Sequence, residues 1–483
     1  MNDRIIIDNW FGISTLAKSD SYKYGHFYQN RPDTEYISSY VESRGCEDGR
    51  GWNEMVVAGI PYLTETFLTR PLVTPDSLKR MAKRVPQHGV TFNEQGWTDL
   101  LRIHNGMPPL KIQALEEGSV VPLHTPMFQM VNTDKRFQWV GPWMETHVLR
   151  SLWYPTTVAT LSFHCKRTIK KYMLETAGHI DGLDFMLHDF GSRGVSSSES
   201  AMIGGLAHLY NFSGSDTFEA VELANKLLRE DMAAYSVDAA EHSTITSFGG
   251  PAFEVDAYEH MLDSNAHREN AIISVVSDSY DLWNAIDNLW GDKLKDKVDA
   301  LAGRGNRLVV RPDSGDPLTV PVRAVERLMA KFGSTTNAKG YRVLPAHIRV
   351  LQGDGINQQS IATILENAKQ AGLSAENFVF GMGGELLQKV NRDTLKFAMK
   401  TSAAKGRNFN NGEWYDVYKD PVDDKGKTSK RGRLAVVNDG GIKTVREGEL
   451  NGRDNLLKDI VFNGMSNYRP SLPAIRTRIN AAL

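Results

Sequence analysis

The sequence predicts an α/β protein: a β/α barrel with a second α+β domain formed from both termini. Three observations predict it. Short apolar runs end abruptly in polar residues and glycine, as in LDFMLHDFGSRG at 183–194, RLVVRPDSG at 307–315, IRVLQGDG at 348–355 and FVFGMGG at 378–384. Helix-length stretches separate these runs, so the strands pair in parallel with helical crossovers, and chemistry gathers at their ends. At 483 residues the chain exceeds the usual size of one hydrophobic core. The alternation is confined to 181–384, which is read as the barrel; 1–180 and 385–483 form one discontinuous α+β domain.

The elements follow in order. Residues up to about 180 mix turns with short strands and helices, the turns falling at Arg31-Pro32-Asp33 and at PLVTPD, 71–76. A helix is expected over 149–174, with 162–171 its more polar part. Apolar runs predict seven strands, at 183–187, 206–212, 234–237, 271–276, 307–310, 347–351 and 376–380. Apolar residues at helical spacing predict helices at 217–231, 258–269, 280–290, 320–332, 356–371 and 386–399. The polar basic run KDPVDDKGKTSKRGR at 419–433 reads as a solvated loop. Beyond it, 434–437 and 442–445 form a hairpin around Asp439-Gly440-Gly441.

Composition excludes several classes. A net charge of −2 gives no reason to expect nucleic acid or an anionic membrane as partner. Hydrophobic and charged fractions of 41% and 24% are those of an ordinary globular protein. Cys46 and Cys165 are the only cysteines, far apart and in no metal-like spacing, so neither a disulfide framework nor a zinc site is expected. MNDRIIIDNWFG lacks the pattern of a signal peptide, and no apolar run approaches a membrane span. The expected location is the cytoplasm.

The candidate functional residues follow the strands. Phe190 and Arg193 can hold a flat ring beside a phosphate. Arg311 offers a planar fork to phosphate oxygens. Asp313 and Asp354 offer carboxylates to a ribose diol, with Gly353 allowing close approach. Gly381, Gly383 and Gly384 expose backbone N–H groups suited to phosphate. For each, the plainer reading is a glycine ending a strand or an aspartate capping a helix. Asp278 is either a magnesium or hydroxyl ligand or the cap of the helix from 280. His242 is either a structural histidine or a nucleophile that accepts a phosphoryl group. Asp216 is either a helix cap or a carboxylate that accepts from an amide and repels an acid. Tyr22, in DSYK at 20–23, is a surface residue or an aromatic lid.

Several long motifs occur together: DSYK at 20, HDFG-RGVSS at 188, AAEHSTIT at 239, SVVSDSYD at 274, RPDSG at 311, QGDG at 352, GGELLQK-NRD at 383 and KDPV at 419. With them the chain resembles the type II phosphoribosyltransferases, and among these the nicotinamide phosphoribosyltransferases, from about Asp20 to beyond Arg433. The resemblance implies an irregular β/α barrel and a homodimer with shared active sites. It implies a reaction of nicotinamide with 5-phosphoribosyl-1-pyrophosphate in NAD salvage, with Mg2+ and with ATP hydrolysed through a phosphohistidine at His242. Phe190, and Tyr22 from the partner chain, would sandwich the ring, and Asp216 would accept from the carboxamide. Arg193, His242 and Arg311 would lie on the phosphate path. Asp313, Gly353, Asp354, Gly383, Gly384 and Arg392 would hold ribose and 5′-phosphate. Lys400, Lys427 and Arg44 match basic positions that contact phosphates. The chain departs from the family pattern at Ser192, Asp238, Met382 and Glu385. The rival is a nicotinate phosphoribosyltransferase, against which Asp216 argues.

Overall fold

The computed structural model describes residues 12–46, 49–423 and 425–483. MNDRIIIDNWF, read above for a signal peptide, and Asp424 of the polar 419–433 run lie outside the described residues. The chain divides into two compact units. One comprises Met1–Thr160, Leu223–Glu230 and Val390–Ala482; the other comprises Leu161–Glu222, Asp231–Lys389 and Leu483. The sequence reading had set the changes at 180 and 384.

The unit around residues 161–389 is a ring of seven parallel strands. They are Leu187–Asp189, Gly214–Ser215, Asp238–Ala239, Ile272–Val276, Arg307–Arg311, Ile348–Gln352 and Phe378–Met382. The last strand pairs with the first, Phe380 opposite Leu187. The second and third share no ladder, but Gly214 forms a parallel bridge with Tyr235 just before the third. There Tyr235 N–H donates to Ser213 O at 2.8 Å and Ser215 N–H donates to Tyr235 O at 3.1 Å. The strands therefore run in chain order around a closed ring. Branched aliphatic and aromatic side chains fill it: Ile273, Val275, Leu308, Val310, Ile348, Val350 and Phe380 are all fully buried. Near-continuous apolar strands of this kind are what a parallel sheet covered on both faces requires.

Strand number agrees with the sequence reading, but four elements do not. The first strand is Leu187–Asp189 rather than 183–187: Leu183–Phe185 closes into a single 3-10 turn, with Phe185 N–H donating to Gly182 O at 2.9 Å and Met186 N–H to Leu183 O at 3.1 Å. Residues 206–212 do not form a strand; Ser198–Leu209 is a helix, capped by Ser197, whose hydroxyl accepts Ser200 N–H at 3.1 Å. The residues from Ile203 to Leu209 are all buried. A helix buried all round has no polar stripe, so its sequence shows no helical period. The third strand lies at Asp238–Ala239 rather than 234–237. The helix expected over 386–399 is the single turn Gly384–Leu387. Asn391 Oδ1 then takes the backbone N–H groups of Asp393 and Thr394, at 2.8 and 3.2 Å, which turns the chain instead of extending the helix. The helices Val320–Phe332 and Gln358–Gln370 stand where the spacing put them. Asn357 and Ser360 cap the second reciprocally.

The other unit carries a six-stranded sheet in the order Trp414–Asp416, Ala398–Gly406, Thr34–Glu42, Phe128–Asn132, Leu110–Ala114 and Lys458–Phe462. Every pairing in it is antiparallel. Three adjacent strands from before the ring are flanked on both sides by strands from after it, so neither terminal segment can form the sheet alone. Its core includes Tyr40, Ile112 and Phe128. Trp97 packs edge-on to Trp139 and Trp143, with centroids 4.6 and 4.8 Å away. The expected hairpin is present as Leu434–Asn438 and Ile442–Arg446. Among the described residues, no helix is long and apolar enough to cross a membrane.

Close packing in the ring unit is testable at Gly205, in the helix Ser198–Leu209. A Cβ there would lie 2.7 Å from Ala220 Cβ and 3.2 Å from Asp189 Oδ2. Alanine gains about 1 kcal/mol of helix propensity over glycine, whereas overpacking costs about 1–3 kcal/mol. Gly205→Ala therefore lowers stability by about 1 kcal/mol, read as a lower urea midpoint. A raised midpoint would contradict the packing.

Candidate active site

Because all seven strands are parallel, their C-terminal ends share one rim, and each delivers a candidate residue to it. Phe190 follows the first strand, Asp216 the second, His242 the third and Asp278 the fourth. Arg311 ends the fifth, with Asp313 just beyond; Gly353 and Asp354 follow the sixth, and Gly383 and Gly384 the seventh. The ring thus brings together residues spread over about half the chain.

Phe190 is held by backbone and by missing side chains. Its N–H donates to Met382 O at 3.0 Å. A Cβ on Gly381 would sit 2.1 Å from Phe190 Cε2, and one on Gly353 would sit 3.8 Å from it. These glycines make the slot in which the ring lies. Gly384 opens a short helix, and a Cβ there would meet nothing within 4 Å. Arg193 is exposed in the turn Ser192–Gly194.

Asp278, Asp313 and Asp354 are not the caps of the helices that follow them. Asp281, not Asp278, caps the next helix, taking the N–H groups of Trp283 and Asn284 at 2.9 and 3.1 Å. Asn357, not Asp354, caps Gln358–Gln370. Asp316, not Asp313, takes Leu318 N–H and the Thr319 hydroxyl, at 3.1 and 2.8 Å. Asp216 is exposed, and its Oδ1 accepts from the Ser236 hydroxyl.

Around His242 the rim becomes a small charged cluster. His242 Nδ1 lies 3.1 Å from Ser279 Oγ. Nε2 lies 3.4 Å from Asp313 Oδ2 and 3.8 Å from Asp278 Oδ1. A carboxylate can only accept, so Nε2 carries a proton and Nδ1 faces the serine hydroxyl. Asp278 is almost fully buried; its Oδ2 accepts Asp313 N–H at 2.9 Å, while its Oδ1 has no hydrogen-bond partner among the described residues. Arg311 Nε is likewise buried without one. A buried, unsatisfied carboxylate oxygen and a buried, unsatisfied guanidinium nitrogen at one rim are costly unless a ligand completes them.

Four polar residues at this rim escaped the sequence reading. Ser236 and Ser279 contact Asp216 and His242. Gln352 donates to Asp354 O at 2.9 Å, with its Oε1 buried and unpartnered among the described residues. Asp189 is fully buried, and burial pushes its carboxyl up to about 6. Ser279 and Asp189 sit inside quoted motifs; nothing in the spacing marks Ser236.

The remaining candidates, Tyr22, Arg44, Arg392, Lys400 and Lys427, belong to the other unit. Tyr22 is exposed, edge-on to His26 at 4.9 Å. Arg44 donates to Lys427 O at 2.9 Å and lies 3.4 Å from Glu42. Arg392 pairs with Asp393 at 2.8 Å. Lys427 sits exposed in the turn Lys425–Lys427. Lys400, in the strand Ala398–Gly406, is half-buried; burial holds its amine below the usual lysine range, the charge of Glu145 opposes this, and the positive charges of Arg44, Lys23 and Lys419 add to it.

Residues 185–458 match the nicotinate phosphoribosyltransferase (NAPRTase) family, and residues 14–112 match the nicotinamide phosphoribosyltransferase N-terminal domain. The chain is 43% identical over 475 residues, 97% of its length and 98% of the relative's, to the nicotinamide phosphoribosyltransferase of Xanthomonas campestris pv. campestris strain 8004. It is 32% identical over 457 residues, 87% and 95% of the two chains, to the nicotinamide phosphoribosyltransferase of Mycoplasma pneumoniae. The crystal structure of nicotinate-nucleotide pyrophosphorylase from Pyrococcus furiosus superposes with a TM-score of 0.63 at 16% identity, covering 99% of this chain and 98% of that one, which shows a shared fold. The chain therefore belongs to the nicotinate phosphoribosyltransferase family, whose members are pentosyltransferases, and it carries the N-terminal domain of the nicotinamide enzymes.

The slot around Phe190 yields a prediction. Gly381→Ala keeps the fold but displaces the Phe190 ring, because the new methyl has nowhere else to go. The catalytic efficiency of the variant falls at least about 10-fold, measured as kcat/KM. An unchanged efficiency would remove Phe190 from the site.

Proposed function

We propose that the chain is a nicotinamide phosphoribosyltransferase. It joins nicotinamide to 5-phosphoribosyl-1-pyrophosphate, giving nicotinamide mononucleotide and pyrophosphate, in NAD salvage. The observation that carries this reading is the exposed Asp216 carboxylate on the rim, in a chain whose close relatives bear that name. A carboxylate accepts from a carboxamide N–H and repels the carboxylate of nicotinate.

The reaction asks for three things. The ring nitrogen donates its lone pair to ribose C1 while the C1–O bond breaks and its electrons leave with pyrophosphate. Phe190 and Asp216 hold this weak nucleophile in line, an orientation effect. C1 becomes cationic in the transition state, which Asp313 tolerates, and the departing oxygens become more anionic, which Arg311 and Arg193 stabilise. Asp354 and Gly353 hold the ribose, and Gly383 and Gly384 let the 5′-phosphate approach backbone. Tyr22 of the partner subunit covers the ring, and Arg44, Arg392, Lys400 and Lys427 serve the phosphates in a homodimer.

The donor set also suits magnesium. The unsatisfied Asp278 Oδ1 and the nearby Asp313 are hard oxygen ligands. No group of three or more metal-ligating side chains occurs among the described residues, and magnesium commonly takes one or two carboxylates with the rest of its shell from waters and substrate phosphates. Asp278 and Asp313 would hold the ion, which when bound neutralises the leaving pyrophosphate. His242 is the candidate for ATP coupling: its half-exposed ring accepts the γ-phosphoryl group, ADP leaves, and water later releases phosphate. The enzyme would work in the cytoplasm.

A single-tube competition tests the substrate. Purified protein, magnesium, the ribosyl donor, nicotinamide and nicotinate should yield mainly nicotinamide mononucleotide. Asp216→Asn should narrow that preference by about 10-fold or more; dominant nicotinate mononucleotide from the unaltered chain would give the role to the rival. His242→Ala should lower ATP-stimulated turnover more than ATP-free turnover. An equal loss in both would sink the phosphohistidine.

A further inference from the structure

We infer that Asp189 is a positioning residue, whose buried side chain ties the loop carrying Phe190 to the loop carrying Asp216 and so fixes the spacing of the two groups that hold the ring. The inference rests on the reading above for what the two groups bind. The tie itself stands on geometry.

Asp189 ends the first strand, directly opposite Ser215 of the second and Met382 of the seventh. Its Oδ1 accepts Gly191 N–H at 2.7 Å, one residue beyond Phe190. Its Oδ2 accepts the Ser215 hydroxyl at a long 3.4 Å, one residue before Asp216. Its backbone carbonyl accepts Asp216 N–H at 2.9 Å. Ser215 Oγ in turn accepts Thr217 N–H at 3.0 Å. One residue therefore reaches the residue just past Phe190 and, on the other loop, Asp216 itself and the residue before it. With no exposed surface, the carboxyl cannot meet substrate itself.

Burial makes the arrangement informative. The groups that act on this carboxyl are hydrogen-bonding Thr217, Gly191 and Ser215 and the negative Asp216, none of them a cation, and a buried carboxylate without one is expensive. A site kept only for packing takes an apolar side chain of similar size. The surroundings are also shaped to it: the Gly205 backbone comes so close that a Cβ would lie 3.2 Å from Oδ2. Hydrogen bonds from two loops explain why an acid stands here.

The test compares Asp189→Ala, Asp189→Asn and Ser215→Ala with the unaltered chain. KM for nicotinamide and for the ribosyl donor, kcat, thermal midpoint and backbone amide exchange would be measured. Asp189→Ala should raise KM for nicotinamide about 10-fold, with the donor KM within about 2-fold and faster exchange at both 190–191 and 215–217. Asp189→Asn keeps an oxygen for Gly191 and should recover most of the loss. Ser215→Ala cuts one arm, should show a smaller rise of the same kind, and decides the matter if Asp189→Ala does not fold. Equal rises in both KM values, or no rise in folded variants, would overturn the tie. If the unaltered chain makes no nicotinamide mononucleotide, the substrate reading fails on its own. The exchange data still judge the tie: faster exchange in both loops supports it, and unchanged exchange overturns it.

Discussion

Everything at the rim depends on the parallel pairing of the strands around the ring. Parallel neighbours put their C-terminal ends on the same side, so seven separate strand ends become one surface. Each strand contributes only one or two polar residues, too few alone to hold a base beside a sugar that carries a phosphate and a pyrophosphate. The ring also explains why the polar residues can be costly. Its apolar interior holds the backbone firmly enough to keep Asp278 and Arg311 in place with unsatisfied atoms, and such strain persists only where the surrounding structure over-determines it.

The two units divide the electrostatics. The rim of the ring carries Asp216, Asp278, Asp313 and Asp354 beside Arg193 and Arg311. The sheet unit carries a cationic group around Lys400. Glu42 is its buried counterweight: Lys430 Nζ lies 2.5 Å from it and Arg44 lies 3.4 Å away. Tyr40 OH, which accepts Lys430 N–H at 2.8 Å, completes that network. The basic 427–430 segment is thus fastened to a central strand rather than left as a free solvated loop.

The sequence was most legible where local pattern and tertiary role agree. Strands such as Ile272–Val276 and Ile348–Gln352, and helices such as Gln358–Gln370, carry their own periodicity and caps. The rim motifs were legible because glycine and aspartate cluster just past those strands. What failed was hidden by environment. The helix Ser198–Leu209 is too buried to show an amphipathic face. Gly214–Ser215 and Asp238–Ala239, two residues each, are too short to show alternation. Ser236 was missed because its importance lies only in reaching Asp216 from another segment. Spacing leaves Asp278 open as a cap or a ligand; the cap is Asp281, three residues on.

The ring has a seam. Six of its seven junctions are ladders, while the second and third strands are joined by the bridge at Tyr235, whose side chain is itself exposed, and by the Ser236–Asp216 hydrogen bond just beyond it. Local opening begins where few buried contacts and few hydrogen bonds must be broken, so the barrel should breathe at this point before any other, like a split washer. Asp216 and Ser236 stand on opposite lips of that split. On the proposed reading, a ligand that gripped Asp216 while stacked on Phe190 would bind the shut form best and by mass action close the washer. The base would then be both substrate and clasp.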